Sequence, residues 1–449
     1  GRTVVIAAGN EGNNAIHISG SIASGSATDI YFTVPSYTPN DGTDNDYFKF
    51  DLWFDTGGDV TALVTTPNSK TANQEAQDAG TTETPDGSIY LYNYVDSNNN
   101  DRHVRLEVDD NNAIHPPAAG QWNLNIQNNS ESSMMYHGWF YTSSMDASLN
   151  SGDTDYTVAS PGTAAEAITA GSYVSRWRWS DFNKSAFWYG SADRSDDISS
   201  FSSIGPTRDG RQKPDITAPG QGIGSSLSAS ISTEYIQQET ILPGMMHYIN
   251  QGTSMSCPVT AGCAALLLEI DPTLNASQIK SLITSTAMTD SYTGSTLPDN
   301  FWGYGKLDIF AAAAKAFNSG SSQKLGILAY DEWIEANSVI SLGINVKAAV
   351  SFTYSASCQM AGLFIHPGES IDISDSVYAE IWSDNGSGFP DTKLGSSVAV
   401  HKNKILPYSW NYIDMTETGV PISQGTDYHA VIYFTSGSTE STFDIIYES

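Results

Sequence analysis

The stretch Gly252-Thr-Ser-Met-Ser-Cys-Pro258 puts a hydroxyl nucleophile at a glycine turn, directly before the apolar run Val259 to Ile270. A serine there stands at the mouth of a helix, whose unpaired N–H groups and dipole favour developing negative charge. Ser254 is the candidate nucleophile. A serine before an apolar helix ordinarily caps it, and Ser256, two positions on, suits that plainer role better. A second candidate lies near the start, where Asn10 follows the apolar run Thr3 to Ala8 in Gly9-Asn10-Glu11-Gly12. Its amide could donate to the negative oxygen of a tetrahedral intermediate, alongside the Ser254 backbone N–H. In isolation the same four residues also read as a polar turn. Gly9 and Gly252 carry no side chain where a substrate backbone would pass.

A serine nucleophile needs a histidine base and a group to orient it. The histidines are His17, His103, His115, His137, His247, His366, His401 and His429. None sits in a Gly/Thr-rich helix start. His247 is nearest in sequence to Ser254, and its loop-like surroundings read as surface or cleft edge. The sequence therefore presents half of an active site. Cys257 is three positions past Ser254 and reads as packing at the helix start. Cys257 and Cys263 fall on different faces of one helix, and three cysteines with Cys358 make no disulfide framework.

These residues need elements to hold them. Residues 3–8 form a continuous apolar run, as in a strand buried on both faces of a parallel sheet. Residues 165–171 read as a further short apolar strand. Helices are expected over 259–270 and 276–287, the second starting at Asn275 or Ser277, and over 309–317. Between the candidate residues the pattern changes. Phe48, Phe50, Leu52 and Phe54 alternate with Lys49, Asp51 and Trp53, Val104, Leu106 and Val108 with Arg105 and Glu107, and Trp122, Leu124 and Ile126 with Asn123 and Asn125. Strands with one wet face, joined by Gly/Asn/Asp turns, indicate an antiparallel β-sandwich over 17–150. Residues 318–323 read as a flexible linker. Segments 348–353, 377–382 and 428–434 indicate a second sandwich over 324–449.

Four signatures, in this order, resemble those of the subtilisin-like serine peptidases, the subtilases. They are Val4-Val-Ile-Ala-Ala-Gly-Asn-Glu-Gly12, then Phe201-Ser-Ser-Ile-Gly-Pro206 with Lys213-Pro-Asp-Ile-Thr-Ala-Pro-Gly220, then Gly252 to Pro258, and finally Trp302-Gly-Tyr-Gly-Lys-Leu-Asp308. The resemblance implies a doubly wound α/β parallel sheet, partial because the N-terminal part is missing, built from 1–16 and 151–317. It implies that 17–150 is an inserted jelly-roll-like domain. It implies peptide-bond hydrolysis through an acyl-enzyme, with Ser254 as nucleophile and Asn10 as oxyanion donor. Ala7 and Ala8 would line the S1 side of the cleft, with Gly9 and Gly252 beside the substrate. A cis bond is implied at Ser160-Pro161. The catalytic aspartate and histidine would come from a missing or separate N-terminal segment. Asp55-Thr-Gly57 mimics the family's aspartate motif but lies after Asn10, in the wrong order, inside alternating strand sequence. It reads as a strand-to-turn aspartate.

Composition sets the outer limits. A chain of 449 residues exceeds one core and suits several domains. Its net charge of −30, with only 20 Lys and Arg, would repel phosphate and disfavours nucleic acid. No uninterrupted apolar run suits a membrane span. The acidity fits an extracellular setting. Asp/Asn clusters at 40–46, 96–101 and 108–112 offer oxygen ligands, so structural calcium is left open, although each cluster reads more simply as a polar turn. No spacing suggests zinc, and the chemistry requires no cofactor. The expected partners are a peptide or protein substrate and the segment bearing the base. The alternative is a non-catalytic extracellular binding or scaffold protein, built on a subtilase remnant with sandwich modules.

Overall fold

The computed structural model of the chain describes residues 2–75, 77–111, 115–143, 145–190, 193–231, 236–320, 338–342, 347–353, 358–360, 362–365, 367–372, 376–405, 411–423, 425–434 and 442–447. They fall into two compact units. One gathers Gly1–Ser175, Asp197–Tyr235 and Met245–Lys324; the other gathers Arg176–Asp196, Ile236–Gly244 and Leu325–Ser449.

In the first unit, β1 (Val5–Ala7) leads into an antiparallel module made of β2 (His17–Ile22), β3 (Ala27–Val34), β4 (Tyr47–Phe54), β5 (Val60–Thr65), β6 (Thr71–Gln74), β7 (Asp78–Thr84), β8 (Gly87–Val95), β9 (Arg102–Asp109), β10 (Gly120–Asn128), β11 (Met134–Thr142) and β12 (Ser148–Leu149). These strands form a five-stranded sheet, β12-β3-β10-β5-β6, and a six-stranded sheet, β2-β11-β4-β9-β8-β7. The alternating residues explain why. Phe48, Phe50, Leu52 and Phe54 of β4, Val104, Leu106 and Val108 of β9, and Trp122, Leu124 and Ile126 of β10 are all fully buried in one core. Their polar neighbours take the opposite faces.

The chain then returns to the sheet it left. β13 (Ile168–Val174) pairs parallel with β1, Val5 opposite Ile168. β14 (Arg178–Ser180) and β15 (Ala186–Trp188) form a hairpin in the second unit. β16 (Ile216–Gln221) adds to β13 in parallel, giving the order β1-β13-β16. β17 (Ile223–Ser226) and β18 (His247–Asn250) form a hairpin. Among the described residues three α-helices follow: α1 (Thr253–Ile270), α2 (Ala276–Ser285) and α3 (Ile309–Gly320). Cys263, Ala264 and Leu267 of α1 pack on Ile168, Ala170, Ile216 and Ala218 of the sheet, with Ile279 and Ile283 of α2. α1 is apolar and long enough by composition to cross a membrane, yet here it supplies this core.

Three expectations shift. All seven residues of β13 are buried, whereas β1 is only half-buried at the sheet edge and Val4 is 52% exposed. Two apolar runs look alike in sequence; the number of neighbours a strand receives decides which is the core. α1 begins at Thr253, six residues before the apolar run, and carries Pro258 inside it. Proline has no N–H to give the Ser254 carbonyl, four residues back. α3 runs on to Gly320, through the first residues of the expected linker; residues 321–323 lie outside those described. Asn275 starts α2 through a reciprocal capping box with Gln278.

In the second unit the remaining strands are β19 (Ser338–Leu342), β20 (Ala348–Thr353), β21 (Cys358–Gln359), β22 (Gly362–Ile365), β23 (Pro367–Asp372), β24 (Ser376–Asp384), β25 (Pro390–His401), β26 (Asn411–Asp414), β27 (Pro421–Ile422), β28 (Asp427–Phe434) and β29 (Thr442–Tyr447). The largest sheet is β20-β28-β24-β25, all antiparallel. Val377, Ala379 and Ile381 of β24 share a core with Phe352, Tyr428, Ile432 and Phe434.

Candidate active site

The two candidate residues arrive on different elements. β1 delivers Asn10 through Gly9, whose φ of +113° turns the chain off the sheet. The turn is pinned on its far side: Ser203 N–H donates to Gly9 O (3.1 Å) and Gly12 N–H to Phe201 O (2.9 Å). Glu11 closes it further, its Oε2 accepting from Asn10 N–H (2.7 Å) and its N–H donating to Ser203 Oγ (3.1 Å).

α1 delivers Ser254. Gly252 caps the helix at φ +140°, and its N–H donates to Gly220 O (2.8 Å). Ser256 Oγ turns inward and donates to Ala218 O (3.0 Å), fully buried. Ser254 is exposed in the first turn, where a helix has no carbonyl to offer its N–H. Among the described residues its hydroxyl has no hydrogen-bond partner.

Thr253 joins the two elements. Its N–H donates to Asn10 Oδ1 (2.9 Å), and its Oγ1 lies 3.1 Å from the same oxygen. The hydroxyl also accepts from Gly9 N–H (3.1 Å). The hydroxyl proton is shared between Asn10 Oδ1 and Gly9 O (3.2 Å), and the Thr253 N–H on Oδ1 leaves Nδ2 as the other end of the amide. A methyl group placed on Gly252 would stand 3.6 Å from Asn10 Nδ2 and 3.7 Å from Ser254 N. Among the described residues neither nitrogen has a hydrogen-bond partner, and both border, together with Asn10 Oδ1 at 3.7 Å, the small space that glycine leaves open.

The subtilase family (peptidase S8) matches the sequence over residues 1–305, which includes both elements. The chain belongs to the subtilase family. Serine protease AprX of Bacillus subtilis (strain 168) is 39% identical over 137 residues, covering 30% of this chain and 28% of AprX. Bacillopeptidase F of the same organism is 32% identical over 133 residues, covering 29% of this chain and 8% of that protein. The structure of the Clostridium perfringens CspB protease aligns with a TM-score of 0.52 at 21% identity, over 70% of this chain and 60% of that one. That likeness concerns the fold. The matched portions span under a third of either curated relative.

Other expected residues of this subtilase fall as follows. Ala8 is fully buried, while Ala7 keeps some exposed surface on β1. Ser160-Pro161 is cis, as are Gly205-Pro206, Lys213-Pro214 and Leu297-Pro298. Asp55 pairs with Arg208 Nη1 (3.2 Å), beyond the end of β4. His247 is exposed at the end of β18 remote from Gly252, opposite Ser226. The Cys257 thiol donates to Val5 O (3.4 Å), and burial raises its pKa, so it stays protonated. His366 lies outside the described residues.

The acidic clusters are occupied locally. Asp110 Oδ1 accepts from Asn45 N–H (2.9 Å) and Asp46 N–H (3.3 Å), which joins the 40–46 and 108–112 segments; Asp101 pairs with Arg208. Among the described residues no group of three or more His, Cys, Asp and Glu side chains is arranged to hold a metal.

Thr253, Glu11 and Ser203 carry no sign in the sequence of the contacts they make. The signal for Thr253 was its place between Gly252 and Ser254, but its partners are more than 240 residues away. Its role has a measurable consequence. Thr253→Val keeps the shape and the backbone bond to Asn10 but strips Gly9 N–H of its acceptor. An unsatisfied donor of this kind costs about 1–3 kcal/mol. Chemical unfolding should show that loss, and Thr253→Ser should recover most of it. Equal midpoints for Thr253→Val and wild type would rule out this role for the hydroxyl.

Proposed function

We propose that this chain is the part of a secreted serine endopeptidase that carries its nucleophile and oxyanion donors. The observation behind this reading is that Asn10 Nδ2 and Ser254 N lie 3.6 Å and 3.7 Å from a methyl placed on Gly252, beside the exposed Ser254. Ser254 Oγ attacks the substrate carbonyl carbon. The carbonyl oxygen becomes negative and sits between those two donors. The hydroxyl proton passes to a histidine base and from there to the departing amine, and water then hydrolyses the acyl-enzyme. Ala7, Gly9 and Gly252 flank the substrate backbone.

The base and its aspartate come, on this reading, from a further segment carrying the rest of the family's active site. Apolar surface available to such a segment exists just before β1, where Val4 is 52% exposed, and on α1 at Leu266, Leu268 and Ile270. Residues 1–16 and 151–317 then form one peptidase domain, 17–150 a jelly-roll-like insertion and 324–449 a second sandwich.

The test is covalent labelling by a fluorophosphonate, with the segment carrying aspartate and histidine added or withheld. Labelling at Ser254 should require that segment. Asn10→Ala should slow acylation by about 10²–10³, a figure measured in subtilisin, of this same family, and carried over. A non-catalytic scaffold would stay unlabelled in both conditions. Strong labelling of the chain alone would reveal a base within it, His247 being the first to substitute.

A further inference from the structure

The chain enters and leaves the two-sheet module at one place. His17 N–H donates to Asp153 O (3.2 Å) and Asp153 N–H to His17 O (2.7 Å), while Phe140 N–H donates to Ile16 O (2.8 Å). The side chains tie the same crossing. His17 Nδ1 lies 2.7 Å from Asp153 Oδ1, and His17 Nε2 lies 3.0 Å from Nδ1 of His137 on β11. His17 is 0% exposed and His137 8%, whereas the Asp153 side chain is 46% exposed. Tyr156 packs on both imidazoles, at 4.8 Å and 4.7 Å, and Trp139 on His17 at 5.3 Å. Trp139 Nε1–H then donates to Tyr156 O (2.8 Å).

The proton count is constrained. An ionised Asp153 takes the proton of His17 Nδ1, so a neutral His17 offers a bare Nε2 and His137 must bring its proton on Nδ1; the network assigns these tautomers. One added proton can be absorbed by reversing the central bond: His17 Nε2–H donates and the His137 proton moves to Nε2. A second cannot. Two imidazolium N–H groups would then face each other across 3.0 Å.

We propose that His17 and His137 form an acid-released clasp, closed when neutral and open when both are protonated, which ties β2 to β11 where the loop leading back to Asn10 enters the module. That loop is short: Asn14 N–H donates to Glu11 O (3.0 Å) and Ile16 N–H to Asn14 O (2.8 Å). Around His17 the charged groups are Asp153 and Asp155 of the returning segment. Around His137 they are Asp55 past β4, Arg208 of the 207–211 turn, and again Asp153. Burial is the largest influence on each ring and holds both below the ordinary imidazole value, against the pull of Asp153. The sign follows. A base whose folded-state pKa is depressed contributes fully above about pH 6.5, and that contribution fades as pH falls below it.

The measurement is hydrogen exchange of the full chain between pH 7.5 and 5, corrected for intrinsic rates. Protection over residues 14–19, 134–140 and 151–157 should fall by about tenfold or more, while β9 and β10 hold theirs. His137→Gln can still donate to His17 Nε2 but cannot titrate, and it should flatten the response. An unchanged acid response in His137→Gln, or a flat wild type, overturns the clasp. If that variant does not fold, imidazole ¹⁵N titration of the wild type decides: a coupled pair titrating below ordinary histidine supports the clasp, and two independent titrations near 6.5 refute it.

Discussion

Ser254→Ala should abolish fluorophosphonate labelling and lower turnover of the assembled peptidase by about six orders of magnitude. That figure was measured for the nucleophile of subtilisin, a member of this family, and is carried over here. The fold should not change, because the Ser254 hydroxyl has no hydrogen-bond partner among the described residues and is exposed. Removing it leaves no buried group unsatisfied. The neighbouring serine supplies the contrast. Ser256 Oγ is buried and donates to Ala218 O, so Ser256→Ala should cost stability while leaving labelling at Ser254 intact. Residual turnover in Ser254→Ala should stay about 10³–10⁴ above water, because the two oxyanion donors remain. The assay is titration with a peptide substrate alongside mass spectrometry of the labelled peptide. Labelling that moves to Ser256 or Cys257 would mean that the nucleophile has been misassigned.

The site was legible in part, and the division has a physical cause. A nucleophile and an oxyanion donor announce themselves through local context, a glycine turn before a helix or after a buried strand. Such contexts are written in a few consecutive residues. The supports are not. Thr253 holds Asn10 across the fold, Ser203 holds Glu11, and His17 meets His137 from a strand 120 residues away. Each is an ordinary polar residue until the chain folds. The same holds for the strands. Period-two alternation located β4, β9 and β10 because one wet face and one dry face leave a pattern. A strand apolar on both faces leaves only a run, so the buried centre of the parallel sheet, β13, could not be told from its half-buried neighbour β1. The β20, β24 and β28 segments of the second unit were likewise legible, each extending at most two residues beyond the expected span at either end.

The largest expected loss of stability comes from one carboxylate beneath the sheet. Asp215 Oδ2 lies 2.7 Å from Lys213 Nζ, and Oδ1 lies 2.8 Å from Lys280 Nζ. Asp215 Oδ2 also accepts Thr169 N–H at 2.8 Å. The Lys213 side chain is 2% exposed; burial depresses its pKa, and Asp215 opposes that shift. Its other partners are neutral, Ala167 O and Thr169 Oγ1, both at 2.8 Å. Asp215→Asn removes the only negative charge among those partners and strands an ammonium group in the interior. Breaking a buried pair from one side costs about 3–5 kcal/mol, a large share of the 5–15 kcal/mol that holds a typical domain together. Lys280 is a quarter exposed and can turn to water, so most of the cost falls on Lys213. The double variant Lys213→Met, Asp215→Leu should regain most of the loss, since an apolar pair of similar volume has no desolvation penalty. Denaturant unfolding would give the totals, and hydrogen exchange over 168–174 and 214–221 would place them at β13 and β16. A single variant within about 1 kcal/mol of wild type would show that Lys213 gives up its proton or finds water. The pair would then be dispensable to the sheet that carries Asn10 toward Ser254.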